Sequence, residues 1–361
     1  MRLRQLAAAG SAALVAVALT ACGAGFTTAA AGDTASEGAG APEAERVFKV
    51  AFNQNADQPE AVALTHLGER LAERTDGRYS VEVYPNETLG AQKDTVELVQ
   101  SGAVDLALVA GSLLENINPD FVALNMPYVY DSQAHQEAVL NDPAITGDLY
   151  HSLEEQNIRV LGGFSAGVRS VYTSAHPIEK PEDLAGLKIR VMETDTNSRM
   201  MDLMGGVGTP MGQGEVYTAI QSGVIDGGEN NESIYRNLKH DEVAPYYSYT
   251  NHLMIPDYLI TNPATFDSMS EADRAVFLEE LEAAYDESSR LTTEVMTQSQ
   301  QAAEEAGAEF NSPDVEPFRE AVEPLLDEKL TTPAARELYD RTRAVAEQMA
   351  DQPADTTEGD R

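Results

Sequence analysis

Residues 271–306 read EADRAVFLEELEAAYDESSRLTTEVMTQSQQAAEEA and contain neither Gly nor Pro. Ser270 precedes them as a candidate N-cap, with Asp273 at the third helical position in a capping-box-like arrangement. At 1.5 Å per residue an unbroken helix here is roughly 54 Å long, against about 30 Å for the width of a small domain. It must cross from one body to another or project freely. Val276, Leu278, Leu281, Tyr285, Leu291 and Val295 recur on its inner turns and call for partial burial, while residues 298–305 are polar.

Upstream, the pattern supplies two bodies. Residues 47–52 read as a strand, followed by a helix with Leu64, Leu67 and Leu71 on one face and a stop at Gly77. Tyr79 to Tyr84 alternates like a strand and halts at Pro85; Leu89-Gly90 opens a helix through Val96 and Val99; residues 104–109 form a buried-type strand. The order then repeats. Residues 187–191 read as a strand, Met200, Leu203 and Met204 mark a helix, and a short strand ends near Pro210. Val216, Tyr217 and Ile220 mark another helix, and a strand begins at Ile225. Gln100-Ser101-Gly102-Ala103-Val104-Asp105 is echoed by Gln221-Ser222-Gly223-Val224-Ile225-Asp226, each closing a helix on a left-handed Gly. Alternating strand and helix predicts an α/β fold. The expected architecture is a two-lobed clamp with crossover strands and one long helix, 270–306, spanning both lobes. Lobe I takes 47–167 plus 257–285 and lobe II takes 168–256 plus 297–330. Two helices follow, near 315–330 and at 333–350, and 351–361 reads as a disordered acidic tail.

The start of the chain reads as a targeting signal. Arg2 and Arg4 precede an uncharged apolar run, residues 6–19, shorter than the roughly 20 residues of a membrane span. It ends in Leu19-Thr20-Ala21-Cys22-Gly23, which resembles a bacterial lipobox. Residues 1–21 are then a lipoprotein signal peptide, Cys22 the acylated N-terminus, and 22–46 a flexible tether rich in Gly, Ala, Thr and acids. An ordinary signal peptide that happens to hold a Cys is the alternative. Cys22 is the single Cys, so no internal disulfide is possible. The implied site of action is outside the cytoplasm, on the outer membrane face or in the periplasm, tethered by lipid alone.

Sixty acidic residues face 24 basic ones, a net charge of −36. Nucleic acid and anionic headgroups both require a basic surface, so both are excluded as partners. Lysine is scarce beside arginine, a balance that salt adaptation and genome composition both produce. No G-x-S-x-G, P-loop or H-E-x-x-H occurs, and the His at 66, 135, 151, 176, 240 and 252 show no metal-ligand spacing. These His are expected at surface or loop positions, and neither metal nor cofactor is expected. Two Arg stand out. Arg190 lies in Lys-Ile-Arg-Val, ahead of the polar Glu193-Thr194-Asp195-Thr196; Arg169 follows an apolar strand. An Arg at the carboxyl end of a strand points into the crevice of an open α/β sheet and can hold a carboxylate bidentately. Equally, either Arg can pair with a nearby acid. Asp226-Gly227-Gly228-Glu229-Asn230-Asn231 is either a ligand-facing turn or a plain Gly/Asn turn.

Taken in order, several short motifs point to one family. They are Tyr84-Pro85 with Leu89-Gly90, Gln100-Ser101-Gly102 with Asp105, Asn125-Met126-Pro127-Tyr128, and Gly186-Leu187-Lys188-Ile189-Arg190-Val191. Pro210-Met211 with Glu215-Val216-Tyr217, Gly227-Gly228-Glu229-Asn230 and Thr250-Asn251-His252 complete the set. Over about residues 47–350 the chain resembles the substrate-binding proteins of tripartite ATP-independent periplasmic (TRAP) transporters, of the C4-dicarboxylate and sialic-acid type. The resemblance implies a periplasmic-binding-protein-like clamp that binds without catalysing and hands its ligand to a TRAP-type permease. It implies that Arg190 clamps the ligand carboxylate, that Arg169 and Asn230 contact the ligand, and that Asn53 lines the pocket from the other lobe. Gln213 stands where sialic-acid binders resemble one another in carrying an aromatic, which counts against sialic acid. The Glu-Asn-Asn turn and Pro256-Asp257 look more like members that bind uronates and other sugar acids. Glu193 joins the expected site as an acid partner for hydroxyls. The implied ligand is a small organic acid, a uronate or aldonate, and the chain is expected to act as a monomer. A C4-dicarboxylate or 2-oxo acid on the same fold, an exported lipoprotein enzyme and a purely structural lipoprotein are the alternatives.

Overall fold

The computed structural model describes residues 46–350. Numbered β1–β11 in chain order, the first-sheet strands are β1 (Arg46–Ala51), β2 (Tyr79–Tyr84), β3 (Leu106–Ala110), β4 (Arg159–Ser165) and β10 (Pro256–Thr261). Their order is β2-β1-β3-β10-β4. β1 runs parallel to β2 and β3, whereas β10 is antiparallel to both its neighbours. The second sheet holds β5 (Arg169–Thr173), β6 (Lys188–Val191), β7 (Val207–Pro210), β8 (Gly227–Asn230), β9 (Tyr246–Leu253) and β11 (Glu309–Asn311), in the order β11-β9-β5-β8-β6-β7. The proposed signal peptide, Cys22, nearly all of the tether and the 351–361 tail lie outside the described residues.

Each sheet anchors a lobe. In the first, β3 is a run of buried apolar residues, as a strand covered on both faces requires. Helix Pro59–Arg74 buries Leu64, Leu67 and Leu71 against Phe48, Val81 and Leu106, each worth about 1.5–3 kcal/mol when fully buried. Gly68 makes that approach possible, because a Cβ there would stand 2.5 Å from the carbonyl oxygen of Val81. In the second lobe Tyr172, Tyr235 and Tyr247 are fully buried and packed ring on ring. The twin Gln-Ser-Gly segments do close helices on left-handed glycines, with φ of 73° at Gly102 and 72° at Gly223.

Four connections join the lobes: β4 into β5, β9 into β10, the turn into helix Pro333–Ala350, which packs back on lobe I, and the long helix. That helix runs Glu271–Glu305. Ser270 Oγ accepts from the Asp273 amide (3.1 Å) and donates to Asp273 Oδ2 (2.7 Å), which caps it. Its first half packs on helix Pro59–Arg74, where Arg70 and Arg74 both grip Glu280 at 2.5 and 2.8 Å. Its second half packs on helix Glu232–Asn237 in the other lobe. The buried stripe is Phe277, Leu281, Ala284, Ser288, Thr292, Ser299 and Ala303. Leu278, expected on the inner face, is 41 % exposed, because the Phe277–Leu281–Ala284 row sets the rotation.

Other expectations also shift. Arg169 does follow a strand, β4, and itself opens β5, whereas Ile225 precedes β8, which starts at Gly227. His135, His240 and His252 are buried and hydrogen-bonded, not at the surface: to Thr342 O, Tyr172 Oη and Thr250 Oγ1 respectively. Buried imidazoles are retained where each finds such a partner.

Candidate functional site

β6 lies inside the second sheet, parallel to β7 and β8, and its last three residues are buried. Arg190, next to its carboxyl end, is 3 % exposed. Its Nε donates to the carbonyl oxygen of Met211 at 2.9 Å. Among the described residues its two terminal nitrogens have no acceptor, and no carboxylate lies within ion-pair distance. Burial lowers its pKa from the ordinary arginine value, with Glu229 opposing and Arg169 adding to the effect. An arginine remains charged even so. The result is a desolvated cation lacking a counter-ion, an arrangement that costs several kcal/mol until an anion meets it.

That guanidinium opens on a cleft. Lobe I contributes Asn53, just past β1, with Glu87, Gln92 and Lys93; lobe II contributes Arg190, Glu193 and Gln213. Asn53 Oδ1 and Gln213 Nε2 are buried there with no hydrogen-bond partner among the described residues. One acceptor, one donor and one fork of N–H groups thus converge, the set that would fix a carboxylate and a hydroxyl. The cleft holds about 30 Å³, room for little more than water with the lobes as they stand. A six-carbon acid enters only if the lobes part.

Arg169 stands apart from Arg190 in its partners. Its Nε and Nη2 donate to the two carboxylate oxygens of Glu229 at 2.6 and 2.8 Å. Nη2 also donates to the Glu229 carbonyl (2.8 Å) and Nη1 to Asn230 Oδ1 (3.0 Å). Burial pushes the Glu229 carboxyl up, but Arg169 and His252 more than reverse this and hold it at about 2. Asn230 Oδ1 accepts from its neighbour's amide as well, at 2.9 Å. Of the six sequence-predicted ligand contacts, Arg190, Asn53, Gln213 and Glu193 therefore line one cleft. Arg169 and Asn230 form a neighbouring buried cluster in which Glu229 takes most of the arginine's donors.

Glu87, Gln92 and Lys93 were not singled out from the sequence, although Glu87 lies between Tyr84-Pro85 and Leu89-Gly90. Two further acids stand at the lobe I end of the crossing strands. Burial, then the charge of Asp257, pushes Glu60 up to about 8. Burial raises Asp257 to about 6, with Arg169 pulling the other way. Among the described residues no cluster of three His, Cys, Asp or Glu is placed to hold a metal ion. No described helix is long and apolar enough to cross a membrane.

Two α/β lobes on a shared helix, closed over a buried unpaired cation, define a solute-binding clamp. The comparisons give it a family. Residues 50–332 match DctP, the bacterial extracellular solute-binding protein family 7, and the chain belongs to that family. A TRAP periplasmic solute-binding protein from Anaerococcus prevotii, with bound D-glucuronate, is 38 % identical at a TM-score of 0.81, over 84 % of this chain and 98 % of that one. One from Xanthobacter autotrophicus, with bound β-D-galacturonate, is 34 % identical at a TM-score of 0.79, over 82 % and 99 %. A solute-binding protein of Chromohalobacter salexigens is 38 % identical over 75 % of this chain and 80 % of its own length. The fold is thus that of TRAP solute-binding proteins, extracytoplasmic proteins that bind and do not catalyse.

Proposed function

We propose that this chain captures a hexuronate outside the cytoplasm and delivers it to a TRAP-type permease. The observation that carries the reading is Arg190: 3 % exposed, unpaired, and facing Asn53 and Gln213 across the cleft. One carboxylate satisfies the guanidinium, and ring hydroxyls satisfy the two amides and Glu193. The similar structures that hold D-glucuronate and β-D-galacturonate support the same ligand class here. A C4-dicarboxylate would need a second free cation in the buried site, and Glu229 already engages Arg169. Despite the net charge of −36, distant surface acids are screened beyond about 8 Å at physiological salt, so capture rests on the short-range guanidinium.

The test is a melting-shift screen with calorimetry against D-glucuronate, D-galacturonate, aldonates, C4-dicarboxylates and sialic acid. A uronate at 100 times its dissociation constant should stabilise by about 2.7 kcal/mol. A shift with a dicarboxylate and none with any uronate would sink the reading. The anchor belongs to the same proposal: Cys22 carries the lipid, and Cys22→Ser should release the protein from membranes.

A further inference from the structure

We propose that Glu87 sets the specificity of the cleft, accepting a hydroxyl of a monocarboxylate sugar and rejecting the same sugar when it bears a second carboxylate. This rests on the hexuronate reading. Asn86 and Glu87 both sit in the left-handed region, with φ of 57° and 55°. Such backbone is disfavoured for residues that carry a Cβ and persists only where the surroundings impose it. Here the amides of Asn86 and Glu87 donate to Gln54 O (2.8 Å) and Phe52 O (3.1 Å), tying the loop to both neighbours of Asn53.

The side chain reaches across the gap. A Cβ on Gly214, in the other lobe, would lie 3.0 Å from Glu87 Oε2, so the carboxylate of lobe I rests against the backbone of lobe II. It lines the same cleft as Arg190, Lys93 and Glu193. Burial raises its pKa, Arg190 opposes, and Asp94 and Glu215 add to the rise. Lys93 is exposed. Glu193 is exposed too, so the more enclosed wall is cationic at Arg190 and acidic at the half-buried Glu87. A ligand with one carboxylate and several hydroxyls matches it end for end. A second carboxylate, left with no free buried cation, would face like charge in a partly desolvated site, where repulsion is stronger than in water.

The experiment compares D-glucuronate with D-glucarate, its analogue carrying carboxylates at both ends, by calorimetry on the wild-type chain, Glu87→Gln and Gly214→Ala. The wild type should prefer glucuronate at least 30-fold. Glu87→Gln should tighten glucarate at least tenfold and narrow that preference accordingly. Gly214→Ala, which displaces the carboxylate without removing it, should narrow it too, and serves if the Gln variant does not fold. A preference unchanged within threefold in both variants overturns the role of Glu87 while leaving the uronate reading intact. Failure of the wild type to bind either acid overturns both.

Discussion

Replacing Arg190 with Met should make the ligand-free protein more stable and useless at the same time. Met fills most of the space and carries no charge. The substitution loses one hydrogen bond, Nε to Met211 O at 2.9 Å, and leaves that carbonyl short of a donor, a cost of about 1–3 kcal/mol. Against this, it removes a desolvated cation with no ion-pair partner, whose effective penalty is several kcal/mol, partly offset by the fields of Glu229 and Glu193. The balance favours the variant by about 1–3 kcal/mol, a rise in Tm of several degrees at about 2–4 °C per kcal/mol. Binding goes the other way. Arg190 lines the cleft and its two terminal nitrogens have no acceptor among the described residues; a charge-assisted hydrogen bond from each is worth about 1.5–3 kcal/mol, so uronate affinity should fall on the order of 10²–10³-fold or more. Thermal melts by circular dichroism, with and without glucuronate, read both effects. A ligand-free Tm lowered by more than about 2 °C would show that the guanidinium is structural. A retained ligand shift would remove it from the site.

Arg169 should behave in the opposite way. Arg169→Met leaves Glu229 buried and unpaired, and urea melts should show a loss of about 3–5 kcal/mol. Glu229, depressed from 4.5 to about 2, contributes stability that is complete above pH 4.5 and disappears as pH falls through 2; melts from pH 6 to 2 should show a loss of about 3 kcal/mol that Glu229→Gln does not show. Glu60 has the reverse sign: raised from 4.5 to about 8, its contribution is complete below pH 4.5 and is lost as pH rises through 8. Glu60→Gln should therefore stabilise at pH 9 by up to roughly 4 kcal/mol and be neutral at pH 4; equal effects at both would remove the titration argument.

The sequence speaks most clearly where one physical constraint dominates. Tyr79–Tyr84 alternates between two turn signals and is a strand at those bounds. The Gly- and Pro-free run from Glu271 is one helix, ending at Glu305. Strands β9 and β10 were hidden because Asn251, at φ 46°, and Pro256 interrupt the alternation that would have announced them. Arg190 was legible from its strand, but its isolation was not. Which of 60 acids would pair with which arginine is settled by tertiary contact, and Glu229 reaches Arg169 from 60 residues away. Glu87 was equally hidden: in the sequence it is one loop acid among many, and only the backbone twist and the bare face of Gly214 make it distinctive.

The place of β10 bears on how the chain is made. It lies between β3 and β4, yet it is synthesised after the whole of β5–β9. Until residue 261 has emerged, the first sheet has a gap where its neighbours' backbone groups find no mate, and closing it requires contacts of long sequence separation, which form slowly. A polypeptide bound for the far side of a membrane gains from that delay, since it must be threaded before it is folded. The late strand keeps the nascent chain pliable through most of its synthesis.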